Sequence, residues 1–444
     1  MDTLATLELA LESAPQDPAL HWALAAAYRT QGDELAALAH QIAAKTLEAP
    51  PPRSAINLCN VATGYFMKGE HKTAARWYRL VLQLDPEMAI PYMNLASICA
   101  DAGLAAEAEA CRARAYAIQR VFVEQESLAT RRVLMLSVGR TSGNVALELM
   151  LPTSACSRIK YIIDYADEAE DARLPPYDLV FNAIGEPDVA ALLEQRVAGF
   201  VARCGRLVLN QPAAVIATQR HRMPVLFADL DGVVTAPCLR YDCDAAQPDG
   251  LAALLAGGGL DFPVLMRPAG THGGDRFQRC ETLEELRAGL EQASGIQYLT
   301  SYRDYRSADG HYRKYRVIFV DGQPYAYHLA ISERWMVHYF SADMQAHPWK
   351  IAEEQRYLDD MAGVLGPRAM AALAAIGARL GLDYAGIDFT LLPDGSLFVF
   401  EANATMLVHR ERANGILAHK NVYVQRIVDA FERMLARHET LGRA

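Results

Sequence analysis

Asp388, Glu401 and Asn403 are the residues whose types and spacing point most directly to chemistry. They lie in YAGIDFTLLPDGSLFVFEAN, residues 384–403, where two short apolar runs flank Pro393, Asp394 and Gly395. Turn formers between two alternating apolar runs predict a β-hairpin. Alternate side chains of a strand share a face. Ile387 and Phe389 then point away from Asp388, and Phe400 and Ala402 away from Glu401 and Asn403. The hairpin is expected to present two carboxylates and an amide oxygen on one side. Hard oxygen donors of this kind suit Mg²⁺, which usually binds through one or two carboxylates plus substrate phosphates. The same alternation also fits an ordinary surface hairpin.

Several elements upstream could bring phosphates to such a metal. Residues 262–267 (FPVLMR) read as a strand ending in Arg267, followed by PAGTHGGDR, residues 268–276. A loop holding Gly270, Gly273 and Gly274 lets backbone N–H groups close over phosphates, although a plain flexible loop has the same composition. A short strand over 277–280, an amphipathic helix over 281–293 and a strand over 297–302 (QYLTSY) follow. Residues 314–321 and 323–331 form a second hairpin about Asp321 and Gly322, with Lys314 and Arg316 on its first strand. Residues 369–380 read as a helix.

The first third has another texture. Residues 1–125 are rich in Ala and Leu and repeat: Tyr28 and Gly32 recur as Tyr65 and Gly69, then as Cys99 and Gly103. Small residues such as Ala62 and Ala74 allow close helix packing, Gly69 supplies a turn and Pro86 ends a helix. Over about 120 residues this resembles the tetratricopeptide repeat, which implies an all-α array with a concave groove for a peptide or protein. Asn57, Asn60, Asn94 and Arg76 are candidates for that groove; packing or dimerisation is the alternative. From Arg131 the pattern becomes α/β: strands over 132–139, 159–164, 179–183 and 207–209, a helix over 144–150 and helical stretches over 188–204. Strands alternating with helices predict a parallel sheet. One further strand is expected over 231–242.

The chain has 444 residues, a formal charge of −10, 52% hydrophobic and 22% charged residues. This is a multidomain globular composition, and the acidic balance argues against general nucleic-acid binding. Eight cysteines without a CxxC pair indicate neither a zinc knuckle nor a disulfide framework. The N-terminus lacks the basic start and apolar core of a signal peptide. No apolar run approaches the length of a membrane span, so a cytoplasmic protein is expected.

Taken in order, strand, glycine loop, strand, helix, strand, hairpin with an internal Arg, helix and D-x-F…E-x-N resemble the ATP-grasp superfamily over residues 205–440. The expected fold is therefore a tetratricopeptide array (1–125), an α/β pre-ATP-grasp domain (130–240) and an α+β ATP-grasp domain of two lobes (241–440). The resemblance implies ATP and Mg²⁺, with Asp388, Glu401 and Asn403 as metal ligands. Arg267 stands where the family usually has a phosphate-binding Lys, and Arg220 or Arg222 where it has a second one. Arginine neutralises phosphate through a fork instead of a point charge. By the same resemblance, the backbone of Tyr298 and Leu299 contacts adenine, Asp304 is a ribose candidate, and Arg316 or Lys314 faces the transferred phosphate.

Two further segments are candidates for holding substrate. One is the aromatic stretch 332–344, with Trp335, His338 and Tyr339, which reads equally as packing or a dimer contact. The other is 404–412, where His409 and Arg410 could bind a carboxylate or steer an amine. His328 reads either as a core histidine or as a site residue. The resemblance implies a carboxylate–amine ligase acting on a peptide or carrier-borne substrate and a small amine or amino acid. A non-catalytic ATP-binding adaptor and a phosphotransferase are the alternatives.

Overall fold

A computed structural model describes residues 3–48, 53–125, 131–140, 143–245, 250–271 and 276–441. The chain divides into two compact units, one of Met1–Arg120 with Gly139–Thr141 and one of Val121–Val138 with Ser142–Ala444.

The described residues of the first unit form seven helices: α1 (Thr3–Ser13), α2 (Pro18–Thr30), α3 (Glu34–Glu48), α4 (Arg53–Met67), α5 (His71–Leu84), α6 (Ala89–Asp101) and α7 (Ala105–Ile118). Asp17 caps α2 by accepting from Ala19 N–H, and Pro18 occupies the first turn, where its missing N–H costs nothing. The pairs α2–α3, α4–α5 and α6–α7 pack together. Their turns place Gly32, Gly69 and Gly103 at φ near +80°, a region in which a Cβ is disfavoured. Ala37, Ala62 and Ala74 are fully buried where the helices approach. A cavity of about 540 Å³ lies between α3 and α4, lined by Leu38, Ile42, Asn57, Asn60 and Lys68 among others. Asn94, partly buried, donates to the Tyr78 hydroxyl at 2.6 Å.

The second unit opens with a five-stranded sheet of β1 (Val121–Glu124), β2 (Arg131–Ser137), β3 (Cys156–Ile162), β4 (Leu179–Asn182) and β5 (Val208–Leu209). The order is β1-β3-β2-β4-β5, parallel except for β1. The unbroken apolar run Val133 to Leu136 is buried throughout, as a parallel strand covered on both faces requires. Residues 144–150 are not the helix expected from the sequence. Asn144 folds back instead, its Oδ1 accepting from Val138 N–H at 2.8 Å and its Nδ2 donating to Val138 O at 2.9 Å. This local bonding by Asn competes with helix.

The strand expected over 231–242 is two, β6 (Val233–Thr235) and β7 (Cys238–Asp242), which enter different sheets. Pro237 between them has no N–H to donate to a ladder. With β8 (Val264–Pro268), β9 (Gln278–Cys280) and β10 (Ile296–Ser301), β7 forms a small antiparallel sheet, order β7-β10-β8-β9. The large sheet contains β11 (Tyr312–Val320), β12 (Gln323–Ser332), β13 (Tyr384–Leu391) and β14 (Leu397–Asn403), in the order β12-β11-β13-β14-β6. One apolar core joins β2 and β4 of the parallel sheet to β11, β13 and β14; a separate core of Leu251, Val264, Met266, Leu286 and Leu299 underlies the small sheet.

The helix Met361–Leu380 breaks at Gly366 (φ 80°), just before Pro367. Among the described residues it is the one helix long and apolar enough, by length and composition, to cross a membrane. Arg368 and Arg379 interrupt its apolar residues. Here Leu373, Ile376 and Leu380 are buried in the core with β12 and β13. Gly377 lies against the turn of the β11–β12 hairpin so closely that a Cβ would sit 2.1 Å from the Gly322 carbonyl oxygen.

Candidate functional site

The hairpin of β13 and β14 does bring Asp388 and Glu401 to one face, through a feature that simple alternation does not contain. From the turn outward, Leu391 pairs with Leu397, Thr390 with Phe398 and Phe389 with Val399. Continued regularly, that register sets Asp388 opposite Phe400 and turns Glu401 to the other face. The register shifts by one residue, and Asp388 pairs with Glu401 and Gly386 with Asn403. Phe400 is the extra residue of a β-bulge, which re-aims the side chains after it. Phe400 stays on the site face, its ring 5.2 Å from Phe398 and 4.8 Å from Tyr305. Ile387, Phe389, Val399 and Ala402 face the core.

Asp388 lies opposite Arg316 on β11, and Arg316 opposite His328 on β12. His328, Arg316, Asp388 and Glu401 thus form a row across four adjacent strands. Arg316 grips Asp388 with two bonds, Nε to Oδ1 at 2.6 Å and Nη2 to Oδ2 at 2.9 Å, while Lys314 Nζ stands 3.1 Å from Oδ2. Asp388 is only 1% exposed. Burial pushes its carboxyl up, but the charges of Arg316 and Lys314 outweigh this and hold it well below the usual carboxylate range. Glu401 accepts from Arg220 Nη2 and lies 3.9 Å from Arg267 Nη1. Burial raises its carboxyl and Asp388 adds to the rise, yet Arg220 and Arg267 bring it down to about 2. Arg267 itself is lowered to about 10, first by burial and then by the like charge of Arg220. Four cationic heads therefore converge on Asp388 and Glu401, with buried Glu186 contributing a further negative charge to Arg220 and Arg267.

The parallel sheet positions this row. Asn210, just after β5, is fully buried at φ 54°. Its side chain exchanges two 2.8 Å bonds with the backbone of Tyr384, the first residue of β13, and its carbonyl accepts from Asn182 Nδ2 at 3.0 Å. The helix Pro212–Ala217 then delivers Gln219 and Arg220. Asp188, which sequence reasoning did not single out, accepts from both Gln219 Nε2 (2.9 Å) and the Tyr298 hydroxyl (2.6 Å), linking that turn to the small sheet. Nothing in a lone Asp at a helix start marked it in the sequence. Arg222, the alternative to Arg220, is exposed at the start of the helix Met223–Leu226.

On the small sheet, Arg267 and Tyr298 are paired across β8 and β10 and share a face. Tyr298 and Leu299, expected by resemblance to contact adenine through their backbone, lie on the interior strand β10, paired with β7 on one side and β8 on the other. Leu299 is buried in the small core. Asp304 is exposed and pairs with Arg306 at 3.4 Å. Gly270 has φ 68° in the loop after β8, where Arg267 Nη2 donates to Thr271 O. Gly273 and Gly274 lie outside the described residues.

On the other side of the row, His328 is buried and stacks on Tyr339 at 5.0 Å; burial first, then Arg316, holds its pKa well below the ordinary value. It is therefore a neutral core histidine at the edge of the site. A β-bulge at Tyr327 adjoins it, between the pairs Arg316–His328 and Val317–Ala326. The Tyr327 hydroxyl accepts from His409 N–H at 3.2 Å and lies 3.0 Å from its Nδ1. His409 is thereby held near the row, while Arg410 is exposed and donates to Gln425. His338 Nε2 is buried without a hydrogen-bond partner among the described residues. Its pKa is lowered by burial and then by the charge of Lys314.

Among the described residues no three His, Cys, Asp or Glu side chains form a metal-binding group. Asp388, Glu401 and the buried Asn403 are an all-oxygen set on one face of one hairpin. That set fits Mg²⁺ shared with phosphate oxygens and does not amount to an all-protein cage.

No protein-family model matches this chain, and no curated protein is significantly similar to it. Solved structures do align with it. D-alanine–D-alanine ligase from Bacillus anthracis complexed with ATP is 12% identical, over 70% of this chain and 98% of its own, with a TM-score of 0.40. A RimK domain ATP-grasp protein from Sphaerobacter thermophilus is 14% identical over 68% and 98%, with a TM-score of 0.38. The ATP-grasp ligase PsnB, complexed with a phosphomimetic variant of its minimal precursor, Mg and ADP, is 14% identical over 69% and 99%, with a TM-score of 0.37. The chemistry of the site rests on its own residues.

Proposed function

We propose that this chain is an ATP-dependent carboxylate–amine ligase working through an acyl phosphate. The observation that carries this reading is the row Arg316–Asp388–Glu401, with Lys314, Arg220 and Arg267 converging on it. Cations in excess over carboxylates suit a polyphosphate, and phosphoryl transfer depends mainly on charge neutralisation and alignment. Asp388, Glu401 and Asn403 would hold Mg²⁺, which supplies charge neutralisation at the phosphates. Arg220 and Arg267 would orient the phosphate chain, and Arg316 and Lys314 would face the transferred group. The substrate carboxylate attacks the γ-phosphorus, ADP leaves, and an amine then displaces phosphate from the acyl carbon. His409, held by the Tyr327 hydroxyl, would bind a carboxylate or steer the amine. The repeats of the first unit, with their apolar cavity, are proposed to hold a peptide or carrier-borne substrate.

Hydroxylamine trapping tests the central step. Incubation with ATP, Mg²⁺ and candidate carboxylates should yield ADP, phosphate and a hydroxamate. Tight ATP binding with no ADP under any carboxylate and amine mixture would sink the ligase. It would favour instead an ATP-binding adaptor, a reading supported by the guanidinium that already pairs with each of the two carboxylates.

A further inference from the structure

Glu354 and Lys420 form an ion pair that the proposed chemistry does not use. Lys420 Nζ lies 3.0 Å from Glu354 Oε1, and the two side chains are 4% and 0% exposed. Glu354 is otherwise fully engaged: Oε1 accepts from Leu329 N–H at 3.3 Å and Oε2 from the Tyr339 hydroxyl at 2.8 Å. Lys420 Nζ also sits 3.9 Å from the centre of the Tyr339 ring. Tyr339 thus meets a carboxylate at its hydroxyl, an ammonium on its ring and, by stacking, His328. His328 lies directly opposite Arg316.

These residues come from three separate places. Glu354 is on the helix Pro348–Asp359. Tyr339 is in segment 333–347, which leaves β12 and carries Trp335 and His338. Lys420 ends segment 404–420, which leaves β14 directly after Asn403. Segment 333–347 is held at further points, by Lys350 Nζ donating to Ala342 O at 2.8 Å and by the Tyr305 hydroxyl donating to Trp335 O at 2.6 Å. Apolar residues of similar volume stabilise a core as well as a buried ion pair does, because removing two charges from water costs about what their attraction returns. A pair whose two carboxylate oxygens also accept from a backbone N–H and a tyrosine hydroxyl does specify geometry.

We propose that Glu354 and Lys420 are positioning residues that pin Tyr339, and with it segment 333–347, against His328, and that tie this segment to 404–420. The kinetic consequence rests on the ligase reading; the structural one does not.

The test uses the full chain with the double substitution Lys420→Met and Glu354→Gln, which removes both charges and keeps an acceptor for Leu329 N–H. Amide hydrogen exchange is measured by mass spectrometry without nucleotide. Exchange in 333–347 should rise by about tenfold while β11 to β14 keep their protection. ATP turnover should show kcat reduced by about tenfold with KM for ATP within about twofold, since the loss falls on alignment in the transition state. Unchanged exchange in 333–347, or an equal rise throughout the large sheet, overturns the proposal. If wild type shows no turnover at all, the ligase reading fails and the exchange result still decides this one. Tyr339→Phe, which keeps the ring and deletes only the bond to Glu354, is the second variant should the double one not fold. It should raise exchange by about threefold in 333–347 alone, and no rise there counts against the proposal.

Discussion

Arg316 and Asp388 face each other across β11 and β13 and are joined by two bonds of 2.6 and 2.9 Å, with the carboxylate almost wholly buried. A buried charge that loses its partner is strongly destabilising. Arg316→Ala leaves Lys314 as the remaining cation on Asp388 and is expected to cost about 3 kcal/mol of folding stability. Urea unfolding of the nucleotide-free protein measures it. A loss below about 0.5 kcal/mol, the range of an ordinary surface substitution, would contradict the pairing.

Acid should weaken the protein through the same row. Asp388 and Glu401 both titrate below their unfolded values, Glu401 at about 2 against an ordinary 4.5. A depressed carboxylate stabilises the fold above its unfolded pKa, and this contribution disappears as pH falls through the folded one. Stability should therefore drop between about pH 4.5 and pH 2. Glu401→Gln, which cannot titrate, should flatten that slope in urea titrations taken at successive pH values. The same variant should lower ATP turnover by about a hundredfold or more.

Arg267 explains itself by its neighbours. Burial and Arg220 lower it to about 10, so that as an arginine it remains charged at any working pH. A lysine begins near 10.4, and an equal depression brings it to about 8. Arg267→Lys should therefore bind nucleotide with an affinity that falls as pH rises from about 7 to 9, where wild type stays flat. Calorimetric titration with ADP across that range decides between the two behaviours.

Gly377→Ala tests how the helix Met361–Leu380 seats on the sheet. Its new Cβ would overlap the Gly322 carbonyl, a backbone atom in a turn at φ 70°. Overpacking against backbone should destabilise by about 2 kcal/mol or more. A thermal melt lying within a degree of wild type would mean that the helix sits farther from the turn.

The sequence by itself determined which residue types the candidate site holds and the type of most of its elements. D-x-F and E-x-N around a Pro-Asp-Gly turn, the apolar run at Val133 to Leu136 and the recurring Gly32, Gly69 and Gly103 are local signals. Hydrophobic period and turn residues act over a few positions, so they can be read without the fold. Only the tertiary structure decided which residues meet. Alternation counted from the turn cannot foresee that Phe400 bulges, and without that bulge Glu401 faces the core. Arg220 prevails over Arg222 because Asn210 and Asp188 fix the turn between the parallel sheet and the small one. Tyr298 and Leu299 sit on an interior strand because β7 pairs along the edge of β10. The Glu354–Lys420 pair joins residues 66 positions apart in the chain. Such encounters depend on long-range register and burial, and neither leaves a mark in the spacing of neighbouring residues.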